Sequence, residues 1–338
     1  MKKIKKLPLL AAALLLGAGW AIAQDESAPA EEPAAEESAP VEGGEAAAAD
    51  AAPAVPVKPR ESELMPLAKK GMLLDIINTG AHIVAVGERG NVLLSNNGKD
   101  WAQAQTPVRA TLTAVTFADD KHGWAVGHDA VILGTEDGGK TWKLQNFMPE
   151  LEKPFLDVLF LDASTGFAVG AYGLLYKTSD SGATWAEVDA ASIRADEVHF
   201  NGIAKLNDGS LLITGEQGMM GHSTDSGATW SKLTSPYEAS LFGALPQGEK
   251  GAIIFGLRGN AYSSADVASN QWTKIETKTV NSLFGGVAMP DGRVAMVGLN
   301  AWLMLVDPAT GATSALGIKI KEEGRDGAYQ TDGAVHRL

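Results

Sequence analysis

Cysteine is absent from the 338 residues of this sequence. Its absence excludes disulfide bonds, a thiolate nucleophile and the lipidated cysteine of a bacterial lipoprotein. Basic residues are also scarce, since 28 lysines and arginines stand against 41 acidic residues and leave a net charge of −13. This balance argues against nucleic acid or anionic lipid as the main partner, because both require clustered basic side chains.

Long apolar runs are limited to the start of the chain. Four lysines precede an apolar run over residues 7–18, and Ala21-Ile22-Ala23 then forms the small-x-small pattern that signal peptidase recognises. We therefore predict a signal peptide over residues 1–23, with cleavage after Ala23 and export to the periplasm. The alternative is an uncleaved anchor, but the apolar stretch of 17 residues is at the short end of the range that spans a bilayer. After cleavage we expect no membrane insertion.

Aromatic residues are missing from residues 24–60, which are nearly all Ala, Glu, Pro, Gly, Ser and Asp. Nine acidic residues stand there against Lys58 and Arg60. Such a segment buries too little apolar surface to offset the entropy lost on ordering. It is predicted to be a disordered acidic linker, which leaves residues 61–338 as the folded domain.

A repeat dominates this domain. A short apolar strand that ends in glycine occurs six times, and the glycines lie 40, 43, 45, 41 and 42 residues apart. A period in the low forties with short strands is typical of β-propeller blades, so we predict an all-β propeller. The six glycines are Gly87, Gly127, Gly170, Gly215, Gly256 and Gly298.

Each unit contains four predicted strands. In the second unit the inner strand covers residues 112–117, and the next two cover residues 124–127 and 131–134. Six units are complete, and we expect seven blades, of which residues 319–338 form a partial last one. In that blade, residues 326–329 and 333–336 are the predicted middle strands, and residues 64–69 are the predicted outer strand that closes the ring.

The third and fourth strands are joined by the motif S/T-x-D-x-G-x-T-W, the Asp box, at residues 135–142, 178–185 and 223–230. The Asp carboxylate is expected to accept N–H groups of its own turn, and the Trp is expected to cover the hairpin. Because these turns are spread around the rim, we interpret them as structural rather than as catalytic or calcium sites. Their residues are Asp137, Trp142, Asp180, Trp185, Asp225 and Trp230.

The stretch Gly123-Trp124-Ala125-Val126-Gly127-His128, followed by the Asp box at residues 137–142, resembles the BNR-repeat family of photosystem II stability and assembly factors. The resemblance covers about residues 65–312 and is strongest to members from non-photosynthetic bacteria. It implies a seven-bladed propeller that binds a membrane-protein client during assembly. For some of these members it implies an accessory role beside an RND-type exporter, which we keep as an alternative.

A glycoside hydrolase of the sialidase type, or a carbohydrate-binding propeller, is the other alternative. A glycosidase needs two carboxylates at a fixed separation, and no pattern selects a pair among Glu88, Asp129 and Glu216. The six histidines have no metal-ligand spacing. We therefore predict no catalytic residues, no metal site and no cofactor.

The turn after each repeated glycine, which has its full form V-G-x-x-G at residues 86–90 and 169–173, joins the second and third strands, so all six turns should lie on one face. The residue two positions after the glycine varies and is polar or aromatic, as expected of a specific binding face. The alternative is that these are ordinary solvated turn residues. We expect a monomer that binds a membrane-protein client or envelope complex through this face. The candidate contacts are Arg89, Asp129, Tyr172, Gln217, Arg258 and Asn300.

Overall fold

The structure is a computed structural model that describes residues 57–194 and 197–316, together with the backbone of residues 320–323 and 328–331. The predicted signal peptide and most of the predicted linker lie outside the described residues.

Six antiparallel sheets of four strands follow one another along the chain, and each is built from consecutive strands. We call these sheets blades and number them in chain order. Blade 1 contains β1 (Leu73–Asn78), β2 (Ile83–Gly87), β3 (Val92–Ser95) and β4 (Ala102–Ala104). Blade 2 contains β5 (Leu112–Phe117), β6 (Gly123–Gly127), β7 (Ile132–Thr135) and β8 (Lys143–Asn146). Blade 3 contains β9 (Phe155–Phe160), β10 (Gly166–Gly170), β11 (Leu175–Thr178) and β12 (Ala186–Glu187).

The remaining blades have the same organisation. Blade 4 contains β13 (Phe200–Lys205), β14 (Leu211–Gly215), β15 (Met220–Ser223) and β16 (Ser231–Lys232). Blade 5 contains β17 (Leu241–Gln247), β18 (Gly251–Gly256), β19 (Ala261–Ser264) and β20 (Thr273–Lys274). Blade 6 contains β21 (Leu283–Ala288), β22 (Val294–Gly298), β23 (Trp302–Val306) and β24 (Thr313–Leu316). A further hairpin pairs β25 (Ile320–Glu323) with β26 (Ala328–Thr331).

Helical structure in the described residues is confined to single turns. The α-helix α1 covers Ala191–Arg194. The 3₁₀ turns are Ala68–Lys70, Glu88–Gly90, Pro149–Leu151, Ala171–Gly173, Glu216–Gly218, Leu257–Gly259, Val267–Ser269 and Leu299–Ala301.

The core lies between consecutive blades, at contacts that we call seams. The first strand of each blade contacts the first strand of the next, from β1 to β5 and onward to β21. At the first seam, Val84 and Val86 of β2 pack in one cluster with Leu112 and Val115 of β5. Burying each of these side chains contributes roughly 1.5–3 kcal/mol. Apolar side chains of consecutive blades therefore pack face to face across the seams, and the propeller prediction is confirmed with six blades.

The strand predictions for blade 2 agree with the structure to within one residue. The predicted closing strand at residues 64–69 is wrong. It overlaps the 3₁₀ turn Ala68–Lys70, and Met65 N–H donates to Gln103 Oε1 (2.7 Å) at β4 of blade 1. The segment forms a turn rather than a strand because Ala68 is buried in the blade 1 cluster with Leu93. Of the two predicted middle strands of a seventh blade, residues 326–329 overlap β26, and residues 333–336 lie outside the described residues.

Near its beginning, the first strand of every blade has an irregular register against the second strand. Side chains at these irregular positions cross the seams. The Asp75 carboxylate accepts the N–H of Val115 in the next blade at 2.8 Å. At the second seam, Thr113 Oγ1 donates to the Phe155 carbonyl oxygen at 2.7 Å. A first strand is paired in its sheet on one side only, so these side chains satisfy backbone groups on its unpaired edge.

The other three seams have comparable contacts. The Asp157 carboxylate accepts the N–H of Ile203 at 2.8 Å, and Asn201 Nδ2 donates to the Leu241 carbonyl oxygen at 3.0 Å. At the fifth seam, the half-buried rings of Phe242 and Phe284 lie 5.2 Å apart. The five seams between the six blades are thus each bridged by side chains from the same region of the first strand.

Candidate partner-binding face

The repeated glycine is required because two pieces of backbone approach closely there. A Cβ at Gly87 would overlap the carbonyl oxygen of Met72, and a Cβ at Gly256 would overlap that of Ser240. The same carbonyl oxygens accept the N–H of the next residue, from Glu88 at 3.0 Å and from Leu257 at 2.9 Å. Each turn is therefore fixed against the segment that leads into the first strand of its own blade. We call that segment the connection.

The residue two positions after each repeated glycine adopts the left-handed conformation. For a residue other than glycine this costs of the order of 1 kcal/mol or more. Five of these six side chains are exposed, and that of Asp129 is half-buried. Their φ values are 57° for Arg89, 61° for Asp129, 52° for Tyr172, 51° for Gln217, 55° for Arg258 and 59° for Asn300. The six turns and the connections lie at the same end of the blades, which we call the binding face.

An aromatic and cationic cluster lies on this face at the third seam. The Tyr172 side chain is 54% exposed, and its ring centroid is 4.6 Å from that of His199. Lys153 Nζ is 5.3 Å from the centre of the Tyr172 ring, within the range of a cation–π contact. His199 Nδ1 lies 3.7 Å from Glu216 Oε2. Tyr172 is thus held by contacts with His199 and Lys153, while about half of its surface remains exposed to solvent.

The two arginine candidates lie in separate depressions. Arg89 lines a small pocket together with Arg109, which forms an ion pair with Glu63. Arg258 lines a larger groove of about 520 Å³ at the fifth seam. Asn300 Nδ2 donates to Asn281 Oδ1 at 3.0 Å. Among the described residues, no hydrogen bond or ion pair joins two of the six candidates, so they form a ring of separate positions.

The sequence pattern did not mark three residues of this groove as candidates. Lys274, Lys278 and Trp302 line it together with Arg258. The lysines belong to β20 and the following connection, which the repeat pattern treats as a spacer between blades. Only the packing of this connection against the Arg258 turn brings them into one site.

The Asp-box carboxylates bind their own turns, at the opposite end of the blades. Asp180 accepts hydrogen bonds from the Thr178 hydroxyl (2.8 Å) and from the Thr184 N–H (2.9 Å) and hydroxyl (2.6 Å). The hydrogen bond from the Thr184 hydroxyl, followed by those from the Thr184 N–H and the Thr178 hydroxyl, lowers the pKa of Asp180 to about 2. Asp225 and Asp137 have the same arrangement. These carboxylates therefore hold hairpins and do not converge on a common site.

The Asp-box tryptophans pack inward. Trp142 and Trp230 are each 7% exposed. Trp142 packs in the apolar cluster of the first seam, and Trp230 in that of the third seam. Trp185 packs against the cluster of the second seam. Each of these residues therefore closes the seam with the preceding blade as well as covering its own hairpin.

Asp75 and Asp157 have raised pKa values. Burial among the first strands raises the pKa of Asp157 to about 7, and the neighbouring Asp75 charge adds to the rise. Burial likewise raises the pKa of Asp75 to about 6. The Glu88 carboxylate accepts the Met72 N–H at 3.0 Å. No group of three or more potential metal ligands was found in the part of the chain that the structure describes.

The chain matches the family described as Photosynthesis system II assembly factor YCF48 over residues 93–155 and 147–315, about two thirds of its length. The chain belongs to this family. The resemblance inferred from its blades is thereby confirmed. No helix in the described residues is long and apolar enough to cross a membrane.

Individual relatives match over short segments. The chain is 44% identical over 43 residues to the photosystem II assembly protein Ycf48 of Thermosynechococcus vestitus, which is 13% of this chain and 12% of that protein. It is 32% identical over 94 residues to the chloroplastic photosystem II stability/assembly factor HCF136 of Cyanidioschyzon merolae, which is 26% of this chain and 22% of that protein. The matches therefore span less than a quarter of these relatives' lengths.

Solved structures show the shared fold. A structure of YCF48 bound to a D1 peptide superimposes with a TM-score of 0.57 at 16% identity, covering 72% of this chain and 80% of that one. A GH74 enzyme from Niastella koreensis superimposes with a TM-score of 0.56 at 14% identity, covering 72% of this chain and 45% of that one. Because an assembly factor and an enzyme share the architecture equally well, the fold does not decide the activity.

Proposed function

We propose that this protein is an exported, non-catalytic assembly factor that binds the periplasmic part of a membrane-protein client through its binding face. The observation that carries the proposal is the set of six variable residues, all held in the left-handed conformation on one face of a member of the YCF48 family. The related YCF48 structure contains a D1 peptide, which supports a client from a membrane protein.

The chemistry of the face supports protein binding. Arg and Tyr often dominate interfaces, since each combines apolar area with directional hydrogen bonds. Arg89, Tyr172 and Arg258 are all exposed. The turns that carry them are fixed to the connections, so little conformational entropy is lost on association. The protein acts as a monomer that presents this rigid ring.

The experiment is a pull-down from native envelope with the mature protein and an Arg89→Ala/Tyr172→Ala/Arg258→Ala variant. We expect the wild type to recover a client that the variant loses. The matched control is Lys140→Ala/Lys205→Ala/Lys250→Ala, which removes three exposed charges at the opposite end of the blades and should recover the client as the wild type does. Equal recovery by wild type and the binding-face variant would show that the face is not the site. The recovered client also decides between an assembling complex and an RND-type exporter.

Export is tested separately. We expect the mature protein in the periplasmic fraction, with an N-terminus at Gln24 after removal of residues 1–23. A mature chain that keeps Met1, or a protein found in the cytoplasmic fraction, would overturn this part of the proposal.

A glycoside hydrolase remains the second candidate, and one observation favours it. Asp75 and Asp157 are neighbouring carboxyl groups with raised pKa values, as a glycosidase requires of its acid. Both carboxylates also accept backbone N–H groups across seams, which we take as their role. No hydrolysis of sialosides or xyloglucan is expected. Turnover that disappears in Asp75→Asn or Asp157→Asn would establish the enzyme, and glycan binding without turnover would establish a carbohydrate-binding propeller.

The proposed ring has seven blades, with β25 and β26 as part of the last one. Val287 and Leu299 of blade 6 are 44% and 37% exposed, which leaves apolar surface for a further blade to cover. Deleting residues 317–338 should lower the Tm of the domain. An unchanged Tm would argue for six blades.

A further inference from the structure

The first and second strands of the six blades contain very few ionisable side chains. They are Asp75 of β1, Asp157 of β9 and Lys205, which is exposed at the end of β13 away from the binding face. Both aspartates keep some solvent exposure, so their carboxyl groups can exchange protons with water. Placing a carboxyl group among apolar strands costs stability when it ionises, so these two positions stand out from the rest of the ring.

Bridging a seam does not require a group that ionises. At the second seam the Thr113 hydroxyl donates to the Phe155 carbonyl oxygen, and at the fourth seam the Asn201 amide donates to the Leu241 carbonyl oxygen. Neutral side chains from the same region of the first strand therefore bridge these seams. The use of a carboxyl group at the first and third seams is a specific feature of blades 1 and 3.

Each aspartate lies three residues after a carbonyl group that fixes a turn of the binding face. In blade 1 this is the Met72 carbonyl, which holds the turn of Arg89. In blade 3 it is the Pro154 carbonyl, which holds the turn of Tyr172. A shift of the first strand at its aspartate therefore moves the anchor of a turn that carries a proposed contact. The equivalent residues of the other four blades are uncharged, namely Ala114, Gly202, Gly243 and Gly285.

The two aspartates interact mainly with each other. The strands packed against β1 and β9 are β2, β5, β6, β10 and β13, and among these Lys205 is the one charged residue in the part of the chain that the structure describes. The other titratable or charged groups nearby belong to the turns and connections at the binding-face end: Glu88, Arg89, His128, Asp129, Lys153, Tyr172 and His199.

Both carboxyl groups change charge near neutral pH. Burial raises the pKa of Asp157 to about 7 and that of Asp75 to about 6, and the Asp75 charge adds to the rise at Asp157. A raised pKa in the folded state means that the contribution to stability is present in acid and is lost as pH rises through that pKa. Above neutral pH the first strands of blades 1 and 3 therefore each contain a buried charge.

We propose that Asp75 and Asp157 form a pH-sensitive switch that controls the rigidity of the Arg89 and Tyr172 turns. In mild acid the neutral carboxyl groups hold the first strands of blades 1 and 3 against the next blades, and both turns are fixed. Above neutral pH the two charges weaken these strands, and the turns loosen. The consequence for the client rests on the proposed function, because a rigid turn loses less entropy on binding than a loose one.

Hydrogen exchange of the mature protein at pH 5.5 and pH 8, with labelling times scaled to the intrinsic rate, tests the switch. The reporters are the amides of Glu88 and Ala171, which donate to the two anchoring carbonyl groups. At the higher pH we expect protection to fall about tenfold at Ala171 and several-fold at Glu88, because ionisation favours local opening. The internal control is the Leu257 amide of blade 5, whose anchor is followed by glycine instead of aspartate. Equal changes at all three amides would overturn the inference.

Variants separate a switch from a structural bridge. Asp157→Asn should remove the pH dependence at Ala171, and Asp75→Asn should move its midpoint to lower pH because the neighbouring charge is gone. A bridge without a switch would lose protection at both pH values and leave the midpoint unchanged. The matched control His199→Gln removes the imidazole beside this turn and should keep the change at Ala171. Persistence of the pH dependence in Asp157→Asn would overturn the inference.

The envelope pull-down at the same two pH values distinguishes failure of this inference from failure of the proposed function. We expect the wild type to recover more client at pH 5.5 than at pH 8, and Asp157→Asn to show a smaller difference. If the wild type recovers the client equally at both pH values, the binding face is correct and the switch does not control it, which overturns the inference. If no recovered client depends on this face, the proposed function fails, and the exchange experiment still decides on the switch.

Discussion

The Asp157 carboxylate accepts the backbone N–H of Ile203 at 2.8 Å, across the seam between blades 3 and 4. Asp75 accepts the N–H of Val115 in the same way across the first seam. In both cases the second carboxylate oxygen accepts the N–H of the following residue. Each of these aspartates therefore links the first strands of two consecutive blades, because its carboxylate accepts one backbone N–H from each strand.

The stability of the domain should depend on the protonation of Asp157. Burial raises its pKa from 3.8 to about 7, so the folded state holds a proton that the unfolded chain releases above about pH 4. This contribution to the free energy of unfolding is fully present below pH 4 and is lost as pH rises to 7. Asp157→Asn should flatten this part of the profile, and it should lower stability below pH 5 by about 1–3 kcal/mol, because the amide has one acceptor oxygen for the two N–H groups that the carboxylate oxygens accept.

Urea unfolding between pH 4.5 and 8 measures this effect. The control is Asp162→Asn, because hydrogen bonds from the Ser164 side chain and backbone lower the pKa of Asp162. That variant should keep the loss of stability between pH 5 and 7. An Asp157→Asn profile parallel to that of the wild type would contradict the prediction.

A single hydroxyl should measurably stabilise the second seam. Thr113 Oγ1 donates to the Phe155 carbonyl oxygen, and Thr113→Val removes this donor at nearly constant volume. We expect a loss of about 1–3 kcal/mol in the free energy of unfolding, because the carbonyl oxygen of the buried Phe155 loses its partner. Denaturant unfolding measures the loss, and a variant as stable as the wild type would show that water replaces the hydroxyl at no cost.

Gly259 should be sensitive to substitution for two reasons. Its φ of 70° is unfavourable for other residues, and an added Cβ would overlap the Thr279 carbonyl oxygen. Gly259→Ala should therefore cost more than the roughly 1 kcal/mol expected for a positive φ alone. Gly292→Ala is the matched control, because Gly292 has a φ of 85° with nothing near its Cβ position. Thermal unfolding compares the two, and equal losses would place the cost in the backbone conformation alone.

The Asp-box tryptophans should act as seam residues. Trp230 is 7% exposed and packs with Phe167 and Phe200 from blades 3 and 4. Trp230→Ala should lower the free energy of unfolding by about 3–5 kcal/mol, as expected for a large core side chain. Trp101→Ala should lower the free energy of unfolding by less, because Trp101 is only half-buried in blade 1. Equal losses in equilibrium unfolding would mean that these residues stabilise only their own hairpins.

Much of the blade architecture could be predicted from sequence because its signals are local. The inner strand at residues 112–117 follows from its place in the repeat, and the Asp-box turns follow from residues that hydrogen-bond within four positions of one another. The period of the repeated glycines then implies equivalent blades. The left-handed turns of residues such as Arg89 were placed correctly as turns, although their conformation was not predicted.

The seams and the groove were decided by the tertiary structure. Asp75 and Val115 are forty residues apart, and nothing in the spacing of the chain marks an aspartate as a bridge between blades. Arg258 and Trp302 share a groove only because consecutive blades pack face to face. Likewise, residues 64–69 have an apolar pattern suited to a strand, but burial of Ala68 against blade 1 selects a 3₁₀ turn. Local propensities are set by neighbours in the chain, whereas these contacts depend on which surfaces folding removes from water.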